Sequence, residues 1–188
     1  MPKREFECRK AKVASFKDAI AVALDEALTS LEESFYDLTD QQAVSYPLEG
    51  RHNIVTMVMH CLHNLDMYAC MCQAGTLALR HDDKFDMWQH SPKEAQETGG
   101  LVPTVHQMQV RLAAIGKAAT EILSTTTDAQ LLDPTSAAPD WYRQHNRSRA
   151  DTYLRTIFHT MAHVRQIWML RGVMGLTDRD GWPEQHWA

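Results

Sequence analysis

The strongest constraint on the fold is the spacing of apolar residues, which recur every three or four positions along four long segments. This spacing places the apolar side chains on one side of an α-helix, and no segment shows the sustained two-residue alternation of a half-buried β-strand. The sequence therefore predicts an all-α protein. Four amphipathic helices of similar length indicate a four-helix bundle.

The first helix is predicted over about residues 15–38 and the second over about residues 53–73. Asn53 is a suitable N-cap for the second helix, and Gly75 is a natural stop. The apolar stripe of the first helix consists of Phe16, Ile20, Ala23, Leu24, Ala27, Leu28, Leu31 and Phe35. The central stripe of the second consists of Ile54, Val58, Cys61, Leu65, Tyr68 and Cys72.

The third and fourth helices carry recognisable N-terminal signals. Thr104 and Gln107 have the spacing of a capping box, and Ser148 is a cap with Asp151 in the first turn that follows. The fourth helix is predicted to end near Met174. The third helix has an apolar stripe of Val105, Met108, Leu112, Ile115, Ala119 and Ile122. That of the fourth is Ala150, Tyr153, Ile157, Met161, Val164 and Trp168.

Two stretches, residues 76–101 and 125–147, are predicted to be irregular. Connections of this length are uncommon in a compact domain unless they are functional or cross from one end of the molecule to the other. The first stretch is therefore a candidate crossover between the second and third helices. We predict a single domain over residues 1–188, a length that provides a sizeable core.

Composition argues against several classes of protein. The formal net charge is -5, which does not favour nucleic-acid binding. No apolar run is long enough for a membrane span, and the N-terminal residues lack the apolar core of a secretory signal, so we expect a cytoplasmic protein. The four cysteines are then expected to be reduced, with Cys61 and Cys72 as small core residues.

The fourth helix carries two histidines, His159 and His163, four residues apart. They lie about 40° apart around the helix axis and away from the centre of the apolar stripe. Their sector also contains Thr152, Thr156, Gln166, Ile167 and Leu170, whereas Asp151, Arg155 and Arg165 lie mostly on the other side. Such a pair either forms hydrogen bonds within a core or converges on one metal ion.

The second helix offers two more candidates, His60 and His63, which are separated by about 300° around the axis. His60 lies on the flank of the apolar stripe, beside Met57 and Asn64. His63 points almost opposite the stripe and is interpreted as a solvated surface residue. If one of the two faces the interior, we expect it to be His60.

Neutral imidazoles suit zinc, nickel, iron or copper, and three protein ligands leave an open coordination position, as in catalytic sites. A di-iron carboxylate site would need Glu-x-x-His motifs. The positions three residues before His60, His159 and His163 hold Met57, Thr156 and Thr160 instead. A site of that kind is therefore not expected.

The stretches "NIVTMVMHCLHNLD" in the second helix and "HTMAHVRQIWMLRGVMG" in the fourth resemble the DinB-like family, which includes thiol-dependent S-transferases and mycothiol-dependent maleylpyruvate isomerases. The closing "GWPEQHWA" resembles a tail of some members, and Trp182 and Trp187 in it are expected to pack over the bundle. The resemblance implies an up-down-down-up four-helix bundle. It also implies a metal site of His60, His159 and His163, with zinc or nickel as the first candidates and iron as another.

Three hypotheses for the function follow from the histidines and the resemblance together. The first is an enzyme in which the metal binds a low-molecular-weight thiol that attacks an electrophilic small molecule, as a transferase or isomerase. The second is a non-catalytic metal-binding stress-response or assembly protein, and the third is purely structural histidines. Gln166 is either a polar core residue or a group that orients a metal ligand. No general base and no catalytic residue is identified, and a homodimer is expected.

Overall fold

The computed structural model describes residues 13–79 and 101–176, in which all regular secondary structure is helical. The helices of these ranges are α1 (Phe16–Phe35), α2 (Asp40–Val44), α3, α4 (Val105–Thr125), α5 (Asp128–Leu132), α6 (Asp140–Arg143) and α7 (Arg149–Val173). Helix α3 is an α-helix over Ile54–Leu65, a π-helix over Asp66–Met71 and again an α-helix over Cys72–Ala74. The all-α prediction is confirmed for this part of the chain.

The predicted helix starts are formed by side-chain caps. Asn53 accepts the backbone N–H of Thr56 over 2.9 Å at the start of α3. Reciprocal capping boxes begin α4 and α7, because in each the cap side chain and the side chain three residues later satisfy backbone donors. Gly75 ends α3 with a φ of +78°, a left-handed conformation that favours glycine.

The four long helices surround one core. Helix α1 packs against α7 and α4, and α3 packs against the same two helices. The largest fully buried side chains are Tyr153, Phe35, Ile20, Leu24, Leu31, Ile54, Leu65, Met108, Ile115, Leu123 and Leu131. The predicted stripes supply most of this core, but Phe16 lies in the first turn of α1 and is 44% exposed.

Polar contacts tie the ends of the long helices together. The end of α7 lies beside the end of α1, where Arg171 contacts Ser34 and Asp37. The start of α1 lies beside α5 through Lys17 and Asp128, and the end of α1 lies beside the start of α4 through Tyr36 and Gln109. The end of α3 lies beside the start of α7, where Gln73 contacts Arg149. These side chains fix the helix ends relative to one another.

The stretch 125–147 is more regular than predicted, because it contains α5 and α6. Helix α5 begins at a Thr127–Gln130 capping box, and α2 begins at an equivalent Thr39–Gln42 pair. Most of the predicted irregular stretch 76–101 lies outside the described residues, as do Trp182 and Trp187. None of the described helices is long and apolar enough to cross a membrane.

Candidate metal centre

Three histidines from two neighbouring helices converge at one point. His60 of α3 lies opposite His159 and His163 of α7, and one ring nitrogen of each lies within 4.8 Å of those of the other two. The Nε2 atoms of His60 and His159 are 3.0 Å apart. The ring centroids are separated by 4.6 to 5.1 Å. The structure thus brings together the three residues that the sequence analysis selected.

The tautomer of His163 is determined by its neighbour one turn along α7. Nδ1 of His163 lies 2.7 Å from Oε1 of Gln166. An amide oxygen only accepts hydrogen bonds, so Nδ1 carries the proton and donates a hydrogen bond to the oxygen. The lone pair of His163 is then on Nε2, as metal binding through that atom requires. Gln166 is exposed, so it is not the polar core residue of the first prediction, and its contact with His163 is the one that the second predicted role requires.

Asn64 contacts His60 at the edge of the cluster. Its side-chain amide donates to the backbone carbonyl of His60 over 3.0 Å and lies 3.4 Å from Nε2 of the same residue. Asn64 therefore stands one turn from His60 with a polar group directed toward the point where the three imidazoles meet.

The surroundings of His159 disfavour its protonated form. Burial is the main cause that lowers its pKa from 6.5 to about 4, and the neighbouring His163, His60 and Arg155 lower it further. The imidazole is therefore neutral at neutral pH. Neutral imidazole is the form that binds metal ions, so no proton has to be displaced from this ligand.

The donor set fits a divalent transition-metal ion. Metal–nitrogen bonds of about 2.0–2.1 Å in a tetrahedral arrangement separate two ligand nitrogens by about 3.3 Å, close to the distance between His60 and His159. All three histidines are half-buried. In a tetrahedral site, three imidazole ligands from the described residues leave a fourth position that an exogenous ligand can take.

His63 does not belong to this cluster, but its predicted position in solvent is wrong. The side chain is half-buried and lines a cavity of about 10 Å³ together with Asp66 and Arg111. A cavity of this size holds about one water molecule. The helical wheel correctly separated His63 from His60, but it did not show that α4 covers the far side of α3.

None of the described cysteines belongs to the histidine cluster. Cys61, Cys70 and Cys72 are all buried, as predicted for Cys61 and Cys72. Burial raises the pKa of Cys70 to about 12, with Asp66 raising it further, and burial raises the pKa of Cys72 to about 11. These thiols are therefore protonated at neutral pH and are poor metal ligands.

One residue that the sequence analysis placed away from the histidines lies close to them. Arg155, one turn before His159 on α7, is near enough for its charge to lower the pKa of that histidine. Its guanidinium lies over the ring of Tyr68, with 5.5 Å between the guanidinium carbon and the ring centroid. Arg155 precedes His159 by four residues, a spacing that places two side chains next to each other on a helix, and this spacing was the signal for their proximity in the sequence.

The sequence matches the DinB superfamily over residues 23–167, a range that includes all three histidines. The chain belongs to the DinB superfamily. This confirms the resemblance noted in the second and fourth helices. Because members of one fold carry different activities, membership does not by itself define a substrate.

A solved structure supports the fold assignment. The crystal structure of a conserved protein from Enterococcus faecalis aligns with this DinB-superfamily chain with a TM-score of 0.65 and 20% sequence identity. The alignment covers 86% of this chain and 98% of that one. At this identity the likeness establishes the fold alone. No curated protein sequence matches the chain significantly.

Proposed function

We propose that this DinB-superfamily protein binds a divalent metal ion through His60, His159 and His163 and uses it as a thiol S-transferase or isomerase. The substrates would be a low-molecular-weight thiol and an electrophilic small molecule. The observation that carries the proposal is the convergence of three imidazole nitrogens within 4.8 Å at a half-buried position. Zinc and nickel are the first candidates for the ion, and iron is a further one.

The side chains have distinct tasks in this proposal. The three imidazoles hold the ion, Gln166 fixes the tautomer of His163, and the thiol takes the fourth coordination position. A bound divalent ion would favour the thiolate form of the thiol, which is the nucleophilic form. We assign no general base, because none of the described side chains identifies itself as one.

The alternative is a metal-binding protein without turnover, with a role in stress response or assembly. The same three histidines would serve it, so metal content does not distinguish the two functions. The donor set favours the enzyme, because a purely structural metal site is usually closed by a fourth protein ligand, whereas three of the described residues converge here. Thiol-dependent consumption of a generic electrophile would separate the two.

We also propose that the long helices form the up-down-down-up four-helix bundle implied by the family resemblance. The contacts at the helix ends support this topology. Arg171 near the end of α7 binds Ser34 and Asp37 near the end of α1, which fits parallel helices, and Gln73 at the end of α3 binds Arg149 at the start of α7, which fits antiparallel ones. The expected homodimer stays a prediction that analytical ultracentrifugation would test.

The deciding experiment is elemental analysis of the protein purified without a metal-binding tag. We expect close to one equivalent of zinc, nickel or iron in the native protein, and a large loss in the His159→Ala, His163→Ala double variant. The matched control is His106→Ala, because His106 is an exposed histidine at the start of α4. This variant should retain the metal.

Absence of metal from the native protein, even after incubation with zinc and nickel, would refute the proposed site. Metal in the native protein that persists in the double variant would show that the ion binds elsewhere. If the site is established, a thiol-dependent assay with the metal-loaded and the metal-free protein distinguishes the enzyme from the metal-binding alternative.

A further inference from the structure

The polar side chains next to the histidine cluster lie on one side of it, along the seam between α3 and α7. Asn64 is one turn beyond His60 on α3, and Tyr68 is one further turn along the same helix. Arg155 is one turn before His159 on α7 and lies against Tyr68. One helical turn advances about 5.4 Å, so a small ligand at the cluster can extend along this seam as far as Arg155.

The conformation of α3 helps to direct Tyr68 toward this seam. The π-helical stretch Asp66–Met71 contains Tyr68. A π-helical turn is wider than an α-helical turn, so each residue advances less around the axis. Tyr68 therefore lies closer to the side of His60 than in a regular α-helix, and its ring is half-buried rather than part of the main core.

Arg155 carries a charge that no carboxylate among the described residues pairs with. The residue is exposed. Its packing on the ring of Tyr68 limits the conformations of the guanidinium, which reduces the entropy lost when a ligand binds. A guanidinium held in this way presents paired N–H donors that match the two oxygens of a carboxylate.

We infer that Arg155, supported by Tyr68 and joined by the side-chain amide of Asn64, forms a carboxylate-binding subsite beside the histidine cluster. This inference deepens the proposed function and rests on it, since the ligand reaches the cluster through its sulfur and Arg155 through its carboxylate. The preferred ligand class is a short thiol that carries a carboxylate. Arg155 thereby selects among thiols without taking part in bond formation.

The test compares two thiols of similar size on the cobalt-substituted protein. The probes are 3-mercaptopropionate, which carries a carboxylate, and 2-mercaptoethanol, which is neutral. Binding of the sulfur to cobalt(II) is followed by the sulfur-to-metal charge-transfer absorption, so the readout does not depend on activity. The dissociation constants of the two thiols are measured for the native protein, for Arg155→Ala and for the matched control Arg165→Ala, an exposed arginine of the same helix.

We expect the ratio of the two dissociation constants to shift by about tenfold against 3-mercaptopropionate in Arg155→Ala, which corresponds to about 1.4 kcal/mol. The affinity for 2-mercaptoethanol should stay the same, which shows that the variant is folded and its cluster intact. Arg165→Ala should have the native ratio. The intrinsic acidities of the two thiols cancel when the ratios of the variants are compared.

An equal ratio in the native protein and in Arg155→Ala, with thiol absorption present in both, would overturn the subsite and leave the metal site standing. An equal shift in Arg165→Ala would overturn it as well, because the effect would then follow net charge rather than position. Failure of the native protein to take up cobalt, zinc or nickel would overturn the proposed function and the subsite together.

Discussion

Nδ1 of His163 donates a hydrogen bond of 2.7 Å to Oε1 of Gln166, one turn further along α7. This contact holds the imidazole in one tautomer and leaves Nε2 available within the cluster. The corresponding atom of His159 differs. Its Nδ1 is buried and has no hydrogen-bond partner among the described residues. Gln166 therefore orients His163, whereas no hydrogen bond within the described residues orients His159 through its Nδ1.

Replacement of Gln166 by leucine should weaken metal binding by about 10- to 100-fold, the usual effect of removing a group that orients a metal ligand. Gln166→Glu should retain most of the affinity, because a carboxylate also accepts from Nδ1–H. Competition with a chromophoric chelator measures both affinities. Equal affinity in the native protein and in Gln166→Leu would show that the hydrogen bond does not support metal binding.

The metal-free protein should lose stability as the pH falls from about 6.5 toward 4. The pKa of His159 is lowered from 6.5 to about 4 in the folded protein, chiefly by burial. Between these values the unfolded chain binds a proton that the folded chain does not, so acid lowers the free energy of unfolding. The contribution is fully present above pH 6.5 and is lost as the pH falls toward the folded value.

Urea unfolding at several pH values within this window measures the effect. The free energy of unfolding of His159→Gln should depend less on pH than that of the native protein. The difference in slope should correspond to the uptake of up to about one proton on unfolding. His106→Gln, at an exposed position, should follow the native curve. Parallel curves for the native protein and His159→Gln would contradict the assignment of the effect to His159.

The histidine cluster could be predicted from the sequence because it depends on regular α-helical geometry. His159 and His163 are four residues apart on a continuous helix, and the wheel for the first half of α3 separated His60 from His63 correctly. Both helices also begin with caps that the sequence displays. Short-range spacing therefore predicted on which side of each helix the histidines lie, and the family resemblance supplied the choice of these three as one metal site.

The surroundings of the cluster could not be predicted in the same way. The sequence carries no clear signal for the π-helical stretch Asp66–Met71, which displaces Tyr68 from the stripe that a regular helix would give it. The environment of His63 depends on the packing of α4 over α3, which a wheel of one helix does not contain. Arg171, buried by contact with α1, depends on tertiary packing for the same reason.

Asp66 fixes the chain that follows α3. Its buried carboxylate accepts the backbone N–H of Ala78 over 2.6 Å and that of Leu79 over 3.2 Å. Asp66→Asn replaces one acceptor oxygen with a donor, so at least one backbone N–H loses its partner. We expect the free energy of unfolding to fall by about 1–3 kcal/mol, the usual cost of an unsatisfied buried group.

Chemical denaturation gives this free energy, and hydrogen exchange of the Ala78 and Leu79 amides locates the effect. Asp25→Asn is the matched control, because Asp25 is exposed on α1 and its replacement should change stability by no more than about 0.5 kcal/mol. Unchanged exchange at both amides in Asp66→Asn would show that the carboxylate does not hold this segment.

Arg171 joins the ends of α7 and α1 through a largely buried guanidinium. It contacts both carboxylate oxygens of Asp37, at 2.6 and 3.0 Å, and also donates to the backbone carbonyls of Ser34 and Leu176. Removal of the carboxylate in Asp37→Ala leaves a buried charge with less compensation. This should lower the free energy of unfolding by about 1.5–3 kcal/mol, the range for hydrogen bonds to charged groups.

The exposed pair of Arg143 and Asp140 provides the comparison, since both side chains are largely in solvent. Asp140→Ala should cost no more than about 1 kcal/mol, because water already solvates that pair. Urea unfolding of the two variants under the same conditions measures the difference. If Asp37→Ala costs no more than Asp140→Ala, the backbone carbonyls of Ser34 and Leu176 are sufficient to hold Arg171, and the carboxylate adds little to the junction between α1 and α7.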